Sequence, residues 1–123
     1  MAASALVAVV DDDESVRESL PDMLRQLGFA AEAFPSAEEF LASDVMGRTS
    51  CLILDVVMPG MSGPDLQREL ATRRQLIPIV FVTASGDKAI RARLLSEGAV
   101  ECLFKPFSEA ALADALDAAL RVR

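Results

Sequence analysis

Apolar and polar residues follow two different spacings along the chain. Short apolar runs predict strands, and three of them are apolar almost throughout, as in strands covered on both faces. The predicted strands cover residues 5–10, 29–34, 51–55, 77–83 and 100–104. Between them, apolar residues recur at helical spacing, which predicts helices at about residues 14–27, 36–42, 64–72, 87–97 and 108–121. This alternation with short loops predicts an α/β fold, with a parallel sheet and helices on both of its faces.

Several residues mark the predicted helices more closely. Ser36 and Glu39 have the spacing of a capping box at one helix start. Gly28 and Gly98 follow helical segments, where glycine often provides the C-terminal cap. Pro21 lies inside the first helical segment and removes a backbone donor there. Because the apolar spacing continues across it, we expect a kink on the solvent side rather than a break.

The size and charge of the chain restrict what it can bind. Its 123 residues are enough to bury an apolar core, and we expect residues 1–123 to form one domain. This domain could also be the N-terminal part of a longer regulator. The net charge of −7 leaves no basic stripe, so we expect protein partners or metal ions and no direct nucleic-acid contact. No segment is long enough to span a bilayer, and the start lacks the basic residues of a signal peptide. We therefore expect no membrane contact and a cytoplasmic location.

The chain has no histidine and two cysteines, which excludes several kinds of chemistry. Without histidine, Ser-His-Asp triads, Cys-His dyads and histidine-rich zinc sites cannot form. Cys51 and Cys102 lie far apart in the sequence, each within an apolar run. We expect two buried, reduced thiols rather than a disulfide or a redox pair.

Polar side chains stand at the carboxyl ends of four predicted strands. They are Asp11 and Asp12 after the first, Asp55 at the end of the third, Thr83 at the end of the fourth and Lys105 after the fifth. In an open parallel sheet, functional groups gather at this edge. Clustered carboxylates repel one another, and a hard divalent cation such as Mg²⁺, which prefers oxygen ligands, makes such a cluster tolerable. The sequence therefore predicts a Mg²⁺ site at this edge of the sheet.

The acidic run also extends into the first predicted helix. Acidic residues favour a helix N-terminus, so a solvated cap accounts for Asp13 and Glu14. A cap would also explain the residue type of Asp11 and Asp12, but not their coincidence with Asp55. We therefore assign the first two acids to the metal site and the next two to the helix start.

Four stretches together carry a family resemblance that covers nearly the whole chain. They are VVDDDE (9–14), LILDVVMPGMSG (52–63), IVFVTAS (79–85) and LFKPFS (103–108). In order and spacing the chain resembles the receiver domain of two-component response regulators, most of all receivers that precede a helix-turn-helix domain in transcription factors. The resemblance implies a flavodoxin-like, doubly wound sheet of five parallel strands in the order 2-1-3-4-5. It also implies a signalling domain rather than an enzyme, with a sensor histidine kinase as partner.

The resemblance implies a role for each polar residue at the sheet edge. Asp55 would be the phosphoacceptor. Asp12 and Asp55 would bind Mg²⁺ directly, together with the backbone carbonyl of Val57, while Asp11 would act mainly through a metal-bound water. Thr83 and Lys105 would each contact a phosphoryl oxygen. The Lys105–Pro106 bond is expected to be cis, the isomer that proline makes accessible.

Two residues depart from the pattern of the family. Cys102 occupies the fifth-strand position where such receivers usually carry an aromatic switch residue, which leaves Thr83 as the main switch. Phe104 is not expected to replace the aromatic, because strand alternation puts it on the same face but nearer Lys105. Val57 is apolar where many receivers are polar, which bears on the lifetime of the phosphoryl group.

The output surface is predicted from charge. The helix at 87–97 carries basic residues and the last helix acidic ones, so a homodimer through these helices and the fifth strand could pair opposite charges. For any single charge, a solvated helix face is the simpler explanation.

Three other functions fit part of the pattern. A phosphohydrolase like the haloacid dehalogenases would use Asp55 as a covalent nucleophile, but Val57 stands where its general acid would be. A flavin carrier of similar fold would need flanking aromatics, and the chain has no Trp or Tyr. An interaction module that works without phosphorylation typically lacks one of the key residues, and all of them are present.

Overall fold

The computed structural model describes residues 5–121, and within that range five parallel strands form one sheet in the order β2-β1-β3-β4-β5. The strands are β1 (Leu6–Val10), β2 (Ala30–Phe34), β3 (Cys51–Asp55), β4 (Ile79–Thr83) and β5 (Glu101–Phe104). The predicted doubly wound fold and strand order are confirmed. The fourth strand begins two residues later than predicted, just after Pro78, which has no N–H to contribute to a sheet.

Five α-helices and a short 3₁₀ helix connect the strands within the described range. They are α1 (Glu14–Gln26), α2 (Ala37–Ala42), α3 (Gly63–Thr72), α4 (Lys88–Ser96) and α5 (Glu109–Arg121), and the 3₁₀ helix is Met46–Arg48. Each α-helix begins and ends within one residue of its predicted bounds. No helix among residues 5–121 is long and apolar enough to cross a membrane.

Each face of the sheet has its own apolar core. Helices α1 and α5 cover one face, where the buried side chains include Val9, Leu24 and Leu116. Helices α2, α3 and α4 cover the other, with Phe40 and Leu66 among its buried residues. Successive side chains of a strand point to opposite faces, so the central strands supply both cores. Strands β3 and β4 are buried along their full length, in agreement with their continuous apolar sequence.

The helix ends agree with the sequence in part. Gly28 and Gly98 have φ values of 99° and 109°, a left-handed conformation that suits glycine at a helix C-terminus. Ser36 accepts a hydrogen bond from the backbone N–H of Glu39, but the return bond of a capping box is not made there. The full capping box lies instead at the start of α3, between Ser62 and Asp65.

Two single-residue predictions concern burial. Pro21 does lie inside α1, but the prediction that it faces solvent is wrong: it is buried, because it lies one turn before buried Leu24. Both cysteines are free and buried, as predicted. Burial raises the pKa of the Cys51 thiol to about 12, which makes it a poor nucleophile.

Candidate functional site

A cavity of about 450 Å³ opens at the carboxyl ends of β1, β3 and β4. It lies beside the point where the strand order reverses, between β1 and β3, which is where open α/β sheets form their sites. The lining residues are Asp12, Asp13, Asp55, Val57, Thr83, Ala84, Ser85 and Lys105. The sequence placed four of these residues at this edge, and the structure brings them to one cavity: Asp12, Asp55, Thr83 and Lys105.

Asp11 lies beneath this cavity and is fully buried. Its carboxylate oxygens accept hydrogen bonds from Lys105 Nζ and from the backbone N–H of Asp13, both at 2.9 Å. Its backbone N–H donates to Phe34 O at 3.1 Å, and its carbonyl accepts from Arg17 Nη1 at 3.0 Å. Because each polar group of the residue has a partner, Asp11 is held in one position, with its charge facing Lys105 and the cavity floor.

The carboxylates of Asp11, Asp12 and Asp55 form a cluster, with one oxygen from each within 4.8 Å of the others. Asp55 is 7% exposed, whereas Asp12 is open to solvent. Asp13 lies outside the cluster and caps α1, accepting from the backbone N–H of Ser15 at 2.9 Å and its hydroxyl at 2.8 Å. The hydrogen bonds from Ser15 lower the pKa of Asp13. The acidic run thus divides into a cluster and a helix cap.

Asp55 is costly to ionise in this position. Burial, followed by the charge of Asp11, raises its pKa to about 7, and the ammonium of Lys105 acts in the opposite direction. Burial lowers the pKa of Lys105, but the hydrogen bond and charge of Asp11 outweigh this effect, so the pKa is raised overall. Lys105 therefore stays charged, while Asp55 lacks enough positive charge nearby to be fully ionised at neutral pH.

The carboxylate cluster fits a hard divalent cation. Mg²⁺ takes oxygen ligands and usually keeps several waters, so it suits a site with two buried carboxylates and one that is open to solvent. Burial is the main cause of the raised pKa of Asp55 and the charge of Asp11 the second, and added positive charge at this point would offset the charge of Asp11.

Thr83 closes one side of the cavity and is 3% exposed. Its hydroxyl oxygen accepts a hydrogen bond from the backbone N–H of Ser85 at 3.2 Å, and its carbonyl accepts from the N–H of Lys105 at 2.8 Å. In the β4–β5 register, Phe104 is the direct partner of Thr83, while Cys102 is the partner of Phe81. The partly buried Phe104 is therefore nearer to the site than the buried Cys102.

Val57 and the cis peptide bond complete the edge of the cavity. Val57 is 73% exposed, an unusual exposure for a large apolar side chain, and lies at the cavity mouth. The Lys105–Pro106 peptide bond is cis, as the family resemblance implied.

Sequence reasoning missed the structural role of Gly63. A Cβ atom at this position would collide with the carbonyl oxygen of Asp55, and would lie 2.9 Å from Phe81 Cε1 and 3.1 Å from Val56 Cα. From the sequence, Pro and Gly in MPGMSG (58–63) indicate only a turn. The structure adds that the start of α3 packs directly on the backbone of Asp55, which only glycine allows.

The fold and site together define a class: a doubly wound α/β domain with a carboxylate cluster and a lysine at the carboxyl edge of its sheet. The chain belongs to the response regulator receiver domain family, whose sequence pattern it matches over residues 7–117. It is a signalling domain of two-component systems, and its relatives include regulators of transcription.

Individual relatives and a solved structure are also similar to this chain, and they include a transcriptional regulatory protein and a response regulator. The chain is 48% identical to Nodulation protein W of Bradyrhizobium diazoefficiens, over 94% of this chain and 51% of that protein. It is 39% identical to Transcriptional regulatory protein FixJ of Rhizobium meliloti, over 92% of this chain and 55% of that protein. The solved structure of response regulator StyR matches with a TM-score of 0.88 and 48% identity, over 98% of this chain and 61% of that one. The chain thus spans about half the length of the curated relatives it matches.

Proposed function

We propose that this receiver domain takes a phosphoryl group from a sensor histidine kinase onto Asp55, in a Mg²⁺-dependent reaction, and then changes conformation to control an output domain or partner. The observation that carries the proposal is the position of Asp55, nearly buried at the cavity floor beside two carboxylates and near Lys105. Residues 1–123 would form one domain, and its site would catalyse only the domain's own phosphorylation and dephosphorylation. A cytoplasmic location stays a prediction from the sequence.

The proposed transfer needs a carboxylate nucleophile and positive charge. An oxygen of Asp55 would attack phosphorus, forming an O–P bond while the P–N bond of the donor phosphohistidine breaks and its electron pair stays on the imidazole. Asp12, Asp55 and the backbone carbonyl of Val57 would hold Mg²⁺, and Asp11 lies behind them, bonded to Lys105. When bound, Mg²⁺ would supply positive charge that favours ionised Asp55 and offsets the charge of the phosphoryl group.

Lys105 and Thr83 would stabilise the product. The ammonium of Lys105 contacts Asp11 at 2.9 Å and is 21% exposed, so it can reach an anion in the cavity with little rearrangement. The hydroxyl oxygen of Thr83 accepts from the N–H of Ser85, and its O–H would donate a hydrogen bond to a phosphoryl oxygen. Both groups line the same cavity as Asp55.

A small phosphodonor tests the proposal without the kinase. Incubation with acetyl phosphate and Mg²⁺ should add one phosphoryl group, about 80 Da by intact mass, as expected for a single aspartyl phosphate. The same incubation in EDTA should leave the mass unchanged. A mass increase of equal size in EDTA, or none with Mg²⁺, would contradict the proposal.

We also propose a homodimer through α4, β5 and α5 as the output of the switch. Support comes from opposite charges on α4 and α5, although several of these already pair within the chain. Arg91 contacts Glu101 at 2.6 Å, and Asp117 contacts Arg121 at 3.3 Å. Within residues 5–121, Lys88 and Asp114 make no ion pair, so they are the best candidates for contacts between subunits.

The switch itself is expected to depend on Thr83 more than on Cys102. Thr83→Ala should still accept a phosphoryl group but lose the response, because the hydroxyl that links the site to Ser85 is gone. Cys102→Ala should respond nearly as wild type, because a small thiol gains little by moving. Salt-sensitive dimerisation with beryllofluoride and hydrogen exchange over residues 84–96 measure the response. The assignment would be wrong if Cys102→Ala lost the response as completely as Thr83→Ala.

A further inference from the structure

The loop that follows Asp55 is held at its far side by a distant side chain. This loop, residues 56–62, connects β3 to α3 and carries Val57 at the cavity mouth. The backbone N–H of Met61 donates a hydrogen bond to Glu38 Oε2 at 3.1 Å. Glu38 lies in the first turn of α2, 23 residues earlier in the sequence. The contact therefore joins α2 to the loop beside the phosphoacceptor.

The remaining anchors of the loop lie mostly at its two ends. At the base, Val56 N donates to Val82 O at 3.1 Å, and Gly63 N donates to Val56 O at 3.0 Å. Ser62 belongs to the capping box of α3. Near the tip, the buried side chain of Met58 and the partly buried side chain of Met61 give apolar packing but no directional contact. The hydrogen bond to Glu38 is thus what fixes the orientation of the tip.

Gly60 shapes the tip around the same carboxylate. It has φ of 72°, a left-handed conformation that favours glycine. A Cβ atom at this position would lie 3.0 Å from Glu38 Oε2, which is close for a non-bonded contact. The carboxylate therefore packs against the Gly60 backbone and bonds the next N–H, so that both residues at the tip are matched to Glu38.

We propose that Glu38 is a positioning residue of the site: it holds the 56–62 loop against α2 and so keeps Val57 in place relative to Asp55. This inference rests on the proposed function, because the carbonyl of Val57 is a proposed Mg²⁺ ligand. When the bond to Met61 is lost, the tip keeps only the apolar packing of the Met58 and Met61 side chains and gains freedom to move. The Val57 carbonyl is then less well placed for a metal ion, although Asp55 and its charged neighbours are unchanged.

Three variants separate this role from charge and from helix stability. Glu38→Ala removes the acceptor, whereas Glu38→Gln removes the charge but keeps an oxygen that can accept from Met61 N. Glu39→Ala is the matched control, since it removes the same charge from the same helical turn, and the Glu39 side chain makes no hydrogen bond to residues 56–62. The readouts are Mg²⁺ affinity by calorimetry and hydrogen exchange of residues 57–62 in EDTA.

Glu38→Ala should raise the Mg²⁺ Kd about five-fold, the order expected when one exposed hydrogen bond that positions the loop is lost. Amide exchange at 57–62 should become faster, while the amides of α2 keep their protection. Glu38→Gln should stay within about two-fold of wild type, and Glu39→Ala should match wild type. The inference is overturned if Glu38→Ala equals Glu39→Ala in both measurements, or if Glu38→Gln is as impaired as Glu38→Ala.

The failure of the proposed function would look different. In that case the wild-type protein itself would bind no Mg²⁺ and gain no phosphoryl mass. The exchange measurement in EDTA involves no metal, so it would still decide whether Glu38 holds the loop.

Discussion

Asp55→Asn should gain no phosphoryl mass from acetyl phosphate and Mg²⁺, under conditions in which the wild type is modified. A carboxamide is not a competent nucleophile at phosphorus, and no second carboxylate of the cluster shares the position of Asp55 on β3. The matched control is Asp13→Asn, because asparagine also serves as a helix N-cap and Asp13 lies outside the cluster. That variant should be modified like the wild type. Modification of Asp55→Asn at the wild-type rate would exclude Asp55 as the acceptor.

Asp55→Asn should also be more stable than the wild type in EDTA at neutral pH. The pKa of Asp55 is raised to about 7 in the folded protein, chiefly by burial and then by Asp11, from an ordinary value of 3.8. The folded state therefore holds this proton more tightly than the unfolded state. The resulting stability is fully present below about pH 4 and is lost as pH rises through about 7, a change of about 1–4 kcal/mol.

Urea unfolding at pH 5 and pH 8 measures this effect. The wild type should lose stability between the two values, and Asp55→Asn should lose less. Asp44→Asn is a suitable control, since it removes one charge at an exposed position in the loop after α2. If the free energy of unfolding changes equally with pH in Asp55→Asn and in the wild type, the raised pKa of Asp55 is not what limits the stability of the metal-free protein.

Much of the fold was predictable because it depends on local patterns. Strands that are buried on both faces must be apolar along their length, and helices must repeat their apolar residues every three or four positions. These patterns gave element bounds that agree with the structure to within two residues. They also predicted a parallel sheet, but the strand order came from the family resemblance, because periodicity does not say which strands are neighbours.

The residues of the site were predictable where they stand at strand ends. Contacts that depend on the packing of distant segments were not. Strand ends placed Asp11, Asp12 and Asp55 at one edge, and the structure brings their carboxylates together. Alternation put Phe104 on the face of Cys102, yet only the register reveals that it pairs with Thr83. Contacts between segments distant in sequence left no signal, and the hydrogen bond between Glu38 and Met61 is one of them. The functional roles of the site residues stay predictions until they are measured.

Gly63→Ala should be the most destabilising small substitution near the site. The new Cβ would meet the carbonyl oxygen of Asp55, which belongs to a strand buried on both faces and cannot easily move. It would also lie 2.9 Å from Phe81 Cε1, in the core beneath α3. Such overpacking should lower the free energy of unfolding by about 3 kcal/mol. If the protein still folds, the displaced backbone of Asp55 should slow phosphoryl uptake as well.

Gly47→Ala is the matched control, because a Cβ there has no atom within 4 Å. Neither glycine has a left-handed φ, so alanine is not strained by the backbone conformation at either position. Both substitutions reduce the conformational freedom of the unfolded chain to the same extent, and they differ in the steric contact of the new Cβ. Urea unfolding of both variants therefore isolates the contact with Asp55. A loss of less than about 1 kcal/mol in Gly63→Ala relative to Gly47→Ala would mean that α3 can shift away from β3. In that case phosphoryl uptake should be unimpaired, and the tight packing of Gly63 on Asp55 would not be needed to hold the acceptor in place.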